Sequence, residues 1–139
     1  MTIDLQTLGR TLKRVQHMHH RKLDSRLGEI GTTLVQWDAL RAIEQHPNSS
    51  SHDLAVATFQ TDQSFGTLAN RLVERGLIER VAGSGRAIRH HLTSDGEAML
   101  RRASRVVNEM LEMSFSALSD SERKSLGRLL SRMLDGETD

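Results

Sequence analysis

Residues 61–76, TDQSFGTLANRLVERG, carry the most restrictive pattern in the chain. At about 100° per residue, Phe65, Leu68, Ala69 and Leu72 fall on one face of a helix, and Gln63, Thr67, Asn70 and Glu74 fall opposite. Ser64, Gly66 and Arg71 flank that second face. The apolar face demands a core to pack on, which leaves a free face of mostly uncharged hydrogen-bonding side chains. Helices meant only for solvation usually carry Lys and Glu in i,i+4 pairs. Gln, Ser, Thr and Asn instead supply donors and acceptors that match the edges of base pairs. Gly66 costs roughly 1 kcal/mol relative to Ala in a helix interior, and close approach of the backbone to a ligand accounts for it. A solvent-facing amphipathic helix with an incidental glycine accounts for the same wheel.

The flanks turn this helix into a unit. Ser50 is placed to cap a short preceding helix, with Asp53 where a capping box puts its acid, and Leu54, Ala55 and Ala57 form its small apolar face. Phe59, Gln60 and Thr61 read as the turn, with Thr61 capping the second helix. Gly76 stands where a C′ glycine ends a helix. Residues 77–81 follow as a strand, Gly83-Ser84-Gly85 as turn chemistry, and residues 87–92 as the return strand, with Arg86 at its mouth and Arg89 further along. Two helices followed by a basic-tipped hairpin make a winged helix-turn-helix. Such proteins read bases mainly with the first residues of the second helix, and Arg86 would reach the adjacent minor groove or its phosphates.

The chain has 139 residues, 37% apolar and 27% charged, which suits one soluble domain with a core of its own. No apolar run approaches the ~18 residues of a membrane helix, and the N-terminus lacks the pattern of a signal peptide. The absence of cysteine excludes disulfides, thiolate metal sites and thiol redox switching. A cytoplasmic protein is expected. Net charge is only +1, and the pI near 8.4 lies below the ~9 of strongly basic nucleic-acid-binding domains. The charge balance permits DNA binding without demanding it.

Long helices flank the central unit. Leu5, Leu8, Leu12, Val15, Leu23 and Leu27 form a stripe over residues 3–27, and Gly31 breaks it. Thr33 caps a helix to about Gln45 carrying Leu34, Trp37, Leu40, Ala42 and Ile43, and Pro47 stops it. Ser94 or Asp95 is expected to cap a long helix through about Ala117. The run Ser119-Asp120-Ser121-Glu122 opens a last one with an apolar seam of Leu126, Leu129, Leu130, Met133 and Leu134. These terminal stripes exceed what the small central unit can cover. They are expected to bury against each other and against a second copy, giving a two-fold dimer. The expected fold is mainly α with a small two- to three-stranded β-wing, in one domain over 1–139. Dimerisation helices occupy about 3–30 and 95–135, and the winged helix-turn-helix about 33–93.

With these elements in place, the chain resembles the multiple antibiotic resistance regulator (MarR) family of bacterial transcription factors along essentially its whole length. The marks are Thr33-Leu34-Val35-Gln36-Trp37, Asp53-Leu54-Ala55, the run LVERGLIER at 72–80, Leu92-Thr93-Ser94-Asp95-Gly96 and Leu118-Ser119-Asp120-Ser121-Glu122. The resemblance implies a homodimer with intertwined terminal helices. It also implies binding to pseudo-palindromic double-stranded DNA, usually as a repressor, and release by a small, often aromatic, effector. DNA-contacting positions of the family fall on Gln63, Ser64 and Thr67, and the wing arginine on Arg86. Asn70, Arg71 and Arg89 complete the expected DNA-binding set. Ser84 departs from the pattern, because relatives usually carry an acid two positions before the wing arginine.

Other chemistry has less support. His17, His19 and His20 cluster in the first helix, and His90 and His91 sit on the return strand. No cysteine is present, no carboxylate follows the first group until Asp24, and His90 and His91 should point to opposite faces of the sheet. No metal or cofactor is therefore expected. His17, His20 and Trp37 are candidates for an effector pocket between the dimer helices and the DNA-binding part; interface packing and solvation explain them as well. No phosphate-cradling loop or nucleophile elbow is present, so no enzyme is expected. The competing function is a protein-interaction module that docks a partner on the same uncharged face.

Overall fold

The computed structural model describes residues 2–82, 85 and 87–137. Six helices and two strands run in the order α1 (Leu5–Gly28), α2 (Leu34–Gln45), α3 (Ser51–Ala57), α4 (Asp62–Glu74), β1 (Ile78–Ala82), β2 (Ile88–Leu92), α5 (Ser94–Phe115) and α6 (Asp120–Asp135). The strands are antiparallel, with Ile78 opposite Leu92 and Arg80 opposite His90. The wing therefore has two strands among the described residues.

Side-chain caps set the helix starts. Asp4, Thr33, Ser50, Thr61 and Ser119 each accept from a backbone N–H of the turn they open. The full reciprocal box forms at α6, where Ser119 and Glu122 bond each other's backbone; at α3 only the Ser50 half forms, from Asp53 N at 3.1 Å. The cap of α5 is Thr93 rather than Ser94 or Asp95. Its hydroxyl accepts from Gly96 N at 3.0 Å and donates to Gly76 O at 2.6 Å, so one side chain opens α5 and also satisfies the backbone at the end of α4. Gly76 has φ +72°, as its C′ position requires. Phe59, in the turn between α3 and α4, takes the left-handed conformation at φ 57° and is 94% exposed. That conformation costs a residue with a Cβ about 1–2 kcal/mol.

The core has two parts. One gathers Leu40 and Ile43 of α2, Leu54 of α3, Phe65, Ala69 and Leu72 of α4, Ile78 of β1 and Leu100 of α5. The other joins Leu23 and Leu27 of α1 to Ala103, Val107 and Met110 of α5. Trp37 packs on both, with Nε1 donating to Ser104 Oγ at 3.0 Å. The apolar face read on α4 is thus the face that meets the core, with Leu68 partly buried at its edge.

The terminal stripes behave differently from the expectation that they bury partly against one another. Only Leu23 and Leu27 of α1 are buried, and α6 buries none of its residues. Leu5, Leu8, Leu12 and Val15 at one end, and Leu129, Leu130, Met133 and Leu134 at the other, remain exposed. The first half of α1 is exposed throughout, so among the described residues neither stripe is buried within one chain.

Candidate nucleic-acid interface

With Phe65, Ala69 and Leu72 fixed in the core, the opposite face of α4 is carried outward rigidly. Gln63, Ser64, Thr67, Asn70 and Arg71 are all exposed there. Thr67 Oγ1 donates back to Gln63 O at 3.1 Å, and Thr61 Oγ1 accepts from Ser64 N at 3.0 Å. These bonds leave the Gln63 amide and the Ser64 hydroxyl unengaged among the described residues. Asn70 is not equally free: its Oδ1 accepts a hydrogen bond from Arg80 Nη2 on β1. That contact ties the recognition face to the wing and gives Asn70 a structural role beside the base-reading one expected of it. Arg89, half-buried on β2, makes only a long 3.4 Å bond among the described residues, to the neighbouring Ile88 carbonyl. Arg86 and Ser84, the wing arginine and the departure beside it, lie outside the described residues.

Three further polar ties hold the unit, and none has a periodic signature in the sequence. His52 on α3 and Asp62 in the first turn of α4 bond at 2.8 Å. The hydrogen bond and charge of Asp62 raise the His52 pKa, with Asp53 adding to it. At the other end of α4, Arg75 donates to Gly31 O at 2.8 Å and also to Gln36 Oε1, which accepts from Thr32 Oγ1 at 3.1 Å. The recognition helix is thereby latched to the α1–α2 connection. Asp24 Oδ1 accepts from Leu34 N at 2.7 Å and links α1 to the start of α2.

Under α4 lies His90, 3% exposed, its ring edge-on to Phe65 with centroids 5.9 Å apart. Its Nδ1 is buried without a hydrogen-bond partner among the described residues. Burial, then the charges of Arg80 and His91, push its pKa below the ordinary 6.5. The unfolded chain therefore takes up a proton below about 6.5 that the folded ring refuses. The His90 contribution is present above that value and is lost as pH falls through it. The His52–Asp62 pair works in the opposite sense, its contribution fading as pH rises, so comparison of variants isolates His90. His90→Leu is expected to flatten the decline of stability between pH 6.5 and 5 in urea titrations; an unchanged slope would contradict the assignment.

The expected effector residues lie on α1 and α2, with His17 and His20 one turn apart on α1. His20 Nε2 stands 3.2 Å from Asp24 Oδ2, and Trp37 is engaged with Ser104 and lies under the Arg41 guanidinium. His17 stands on the exposed surface of α1 with Arg10, Arg14 and Arg21. Of the three histidines clustered on α1, His19 bridges to another element, bonded to Ser114 Oγ at 2.6 Å and edge-on to Phe115. It is spaced 95 residues from its partner, beyond any local pattern.

A short helix, a capped and outward-facing second helix and a two-stranded hairpin define a winged helix-turn-helix protein. A MarR family model matches residues 30–87. The HTH-type transcriptional repressor Rv2887 of Mycobacterium tuberculosis H37Rv is 30% identical over 128 residues, covering 91% of this chain and 92% of that protein. The chain belongs to the MarR family of helix-turn-helix transcriptional regulators. The crystal structure of the mycobacterial protein with p-aminosalicylic acid matches with TM-score 0.76 at 28% identity, over 91% of this chain and 97% of that one. A mutant Escherichia coli MarR complexed with operator DNA matches with TM-score 0.85 over 95% of this chain and 99% of that one; at 22% identity it speaks for the fold. Among the described residues, no helix is long and apolar enough to cross a membrane.

Proposed function

We propose that the protein is a cytoplasmic homodimeric repressor, without catalytic activity, that binds pseudo-palindromic double-stranded DNA and releases it when a small aromatic effector binds. The observation that carries this reading is the exposed row Gln63, Ser64, Thr67 and Arg71 on a helix whose opposite face is locked into the core. Gln63, Ser64 and Thr67, with Arg71 beside them, read base edges, Arg89 meets phosphates, and Arg86 reaches the adjacent minor groove or its phosphates. Asn70 contributes through its amide NH₂, its oxygen being engaged by Arg80. The unpartnered stripes of α1 and α6 support the dimer, because two recognition helices about 34–36 Å apart suit successive major grooves. An aromatic carboxylate of the kind bound to the mycobacterial relative would find cationic partners on the exposed surface of α1, where His17 stands among Arg10, Arg14 and Arg21. Its binding would change the separation of the two α4 helices.

Affinity titrations against salt test the DNA reading. Gln63→Ala is expected to weaken operator binding roughly tenfold and relax preference at one base position, with the salt slope unchanged. Arg86→Ala is expected to weaken binding and reduce the slope by about one, leaving the dimer intact. A protein-docking module would show shallow salt dependence and no effect of either change on DNA.

A further inference from the structure

Gly66 is the fifth of thirteen residues in α4, and nothing among the described residues requires it to be glycine. Its backbone is ordinary helix, absent from the positive-φ positions of the described residues. A Cβ built on it meets no described atom within 4 Å. Gly96 shows the contrast: there an added Cβ would stand 1.9 Å from Leu77 O, and internal packing explains the glycine completely. Glycine is the poorest helix former after proline, so at Gly66 the helix is weakened with no intramolecular return. The open space belongs to one surface. Gly66 lies one turn from Gln63 and one turn from Asn70, on the edge of the exposed face that leans toward the wing through the Asn70–Arg80 bond.

We propose that Gly66 is a specificity-determining clearance in the recognition helix. The edge of a DNA base passes in van der Waals contact with its Cα, between Gln63 and Asn70, where a methyl group would collide. The inference rests on the DNA-binding reading and adds a residue with no polar atom of its own to the interface. It makes two demands of opposite sign. Gly66→Ala should fold more stably, because alanine favours the helix and enters open space, and should bind DNA more weakly, because the methyl group occupies the space of the base edge.

The test uses the full-length protein and the best duplex recovered by selection from a random pool. Gly66→Ala is expected to raise Tm by about 3 °C while weakening that duplex roughly tenfold or more. The salt slope should stay unchanged, because no phosphate contact is lost. A second selection with the variant should recover a different base at the position facing residue 66. Unchanged affinity, or a lowered Tm, would overturn the inference and leave the DNA-binding reading standing. If wild type recovers no preferred duplex, that reading fails and the clearance with it.

Discussion

Replacing Leu8 and Leu12 together with Asp is expected to turn the protein into a monomer and to cut operator affinity at least a hundredfold. Both side chains stand on the exposed stripe of α1, 48% and 46% accessible in the single chain, so about half of each is already covered. Burying the remainder contributes about 1 kcal/mol per leucine. Four such leucines in a symmetric dimer amount to about 4 kcal/mol, or about a thousandfold in the dissociation constant. Four carboxylates forced into an apolar seam add a desolvation penalty on top. A monomer engages one half-site only, which is why DNA affinity should fall with the dimer. Neither leucine belongs to a core cluster, so helical content should persist in circular dichroism. Sedimentation equilibrium reads the outcome directly. A variant that remains a dimer would place the interface elsewhere.

Gly96→Ala should be the most destabilising small substitution in the chain. The new Cβ would lie 1.9 Å from the carbonyl oxygen of Leu77 and 2.9 Å from its carbon, both backbone atoms that cannot swing aside. Retreat of α5 is blocked on both sides of the contact. Thr93 N donates to Leu77 O at 3.1 Å, Thr93 Oγ1 donates to Gly76 O, and Leu77, Ile78 and Leu100 beyond them are buried. Overpacking against backbone costs about 3 kcal/mol, which for a chain of this size lowers Tm by about 10 °C. Because β1 begins at Ile78, one residue after the displaced Leu77, the wing should tilt relative to α4, and DNA affinity should fall as well. Thermal unfolding of the purified variant gives the answer, and an unchanged Tm would contradict the packing described.

The helices were legible in the sequence because their signals are local. Periodic apolar residues, a capping side chain and Gly76 all lie within one or two turns of the boundary they set. The same locality made the free face of α4 visible, since burial of Phe65, Ala69 and Leu72 decides which way Gln63 and Thr67 point. The cap of α5 was misplaced because Thr93 competes with two equally good capping residues, and its advantage is a second bond to a carbonyl seventeen residues away. The ties that hold α4 in place were not legible for the same reason. His52 with Asp62, Arg80 with Asn70 and Arg75 with Gln36 pair residues ten to thirty-nine apart, with no repeat to mark them. Within one chain two of the expected effector residues have partners that no local pattern marks, His20 beside Asp24 and Trp37 on Ser104, and the pocket expected of them belongs to the assembly. The stripes of α1 and α6 were legible as apolar surface, but what covers them is a property of the assembly rather than of one chain's local pattern.

The central claim is that two copies of α4 read a two-fold DNA site. Selection of bound duplexes from a random pool, followed by titration of the winner against salt, tests it most directly. The expected winner is a pseudo-palindrome with half-sites about one helical turn apart. Log affinity should fall steeply with log salt, by about 0.9 for each phosphate neutralised. Recovery of no consensus, with only weak binding of every duplex, would contradict it and turn the exposed face of α4 over to a protein partner.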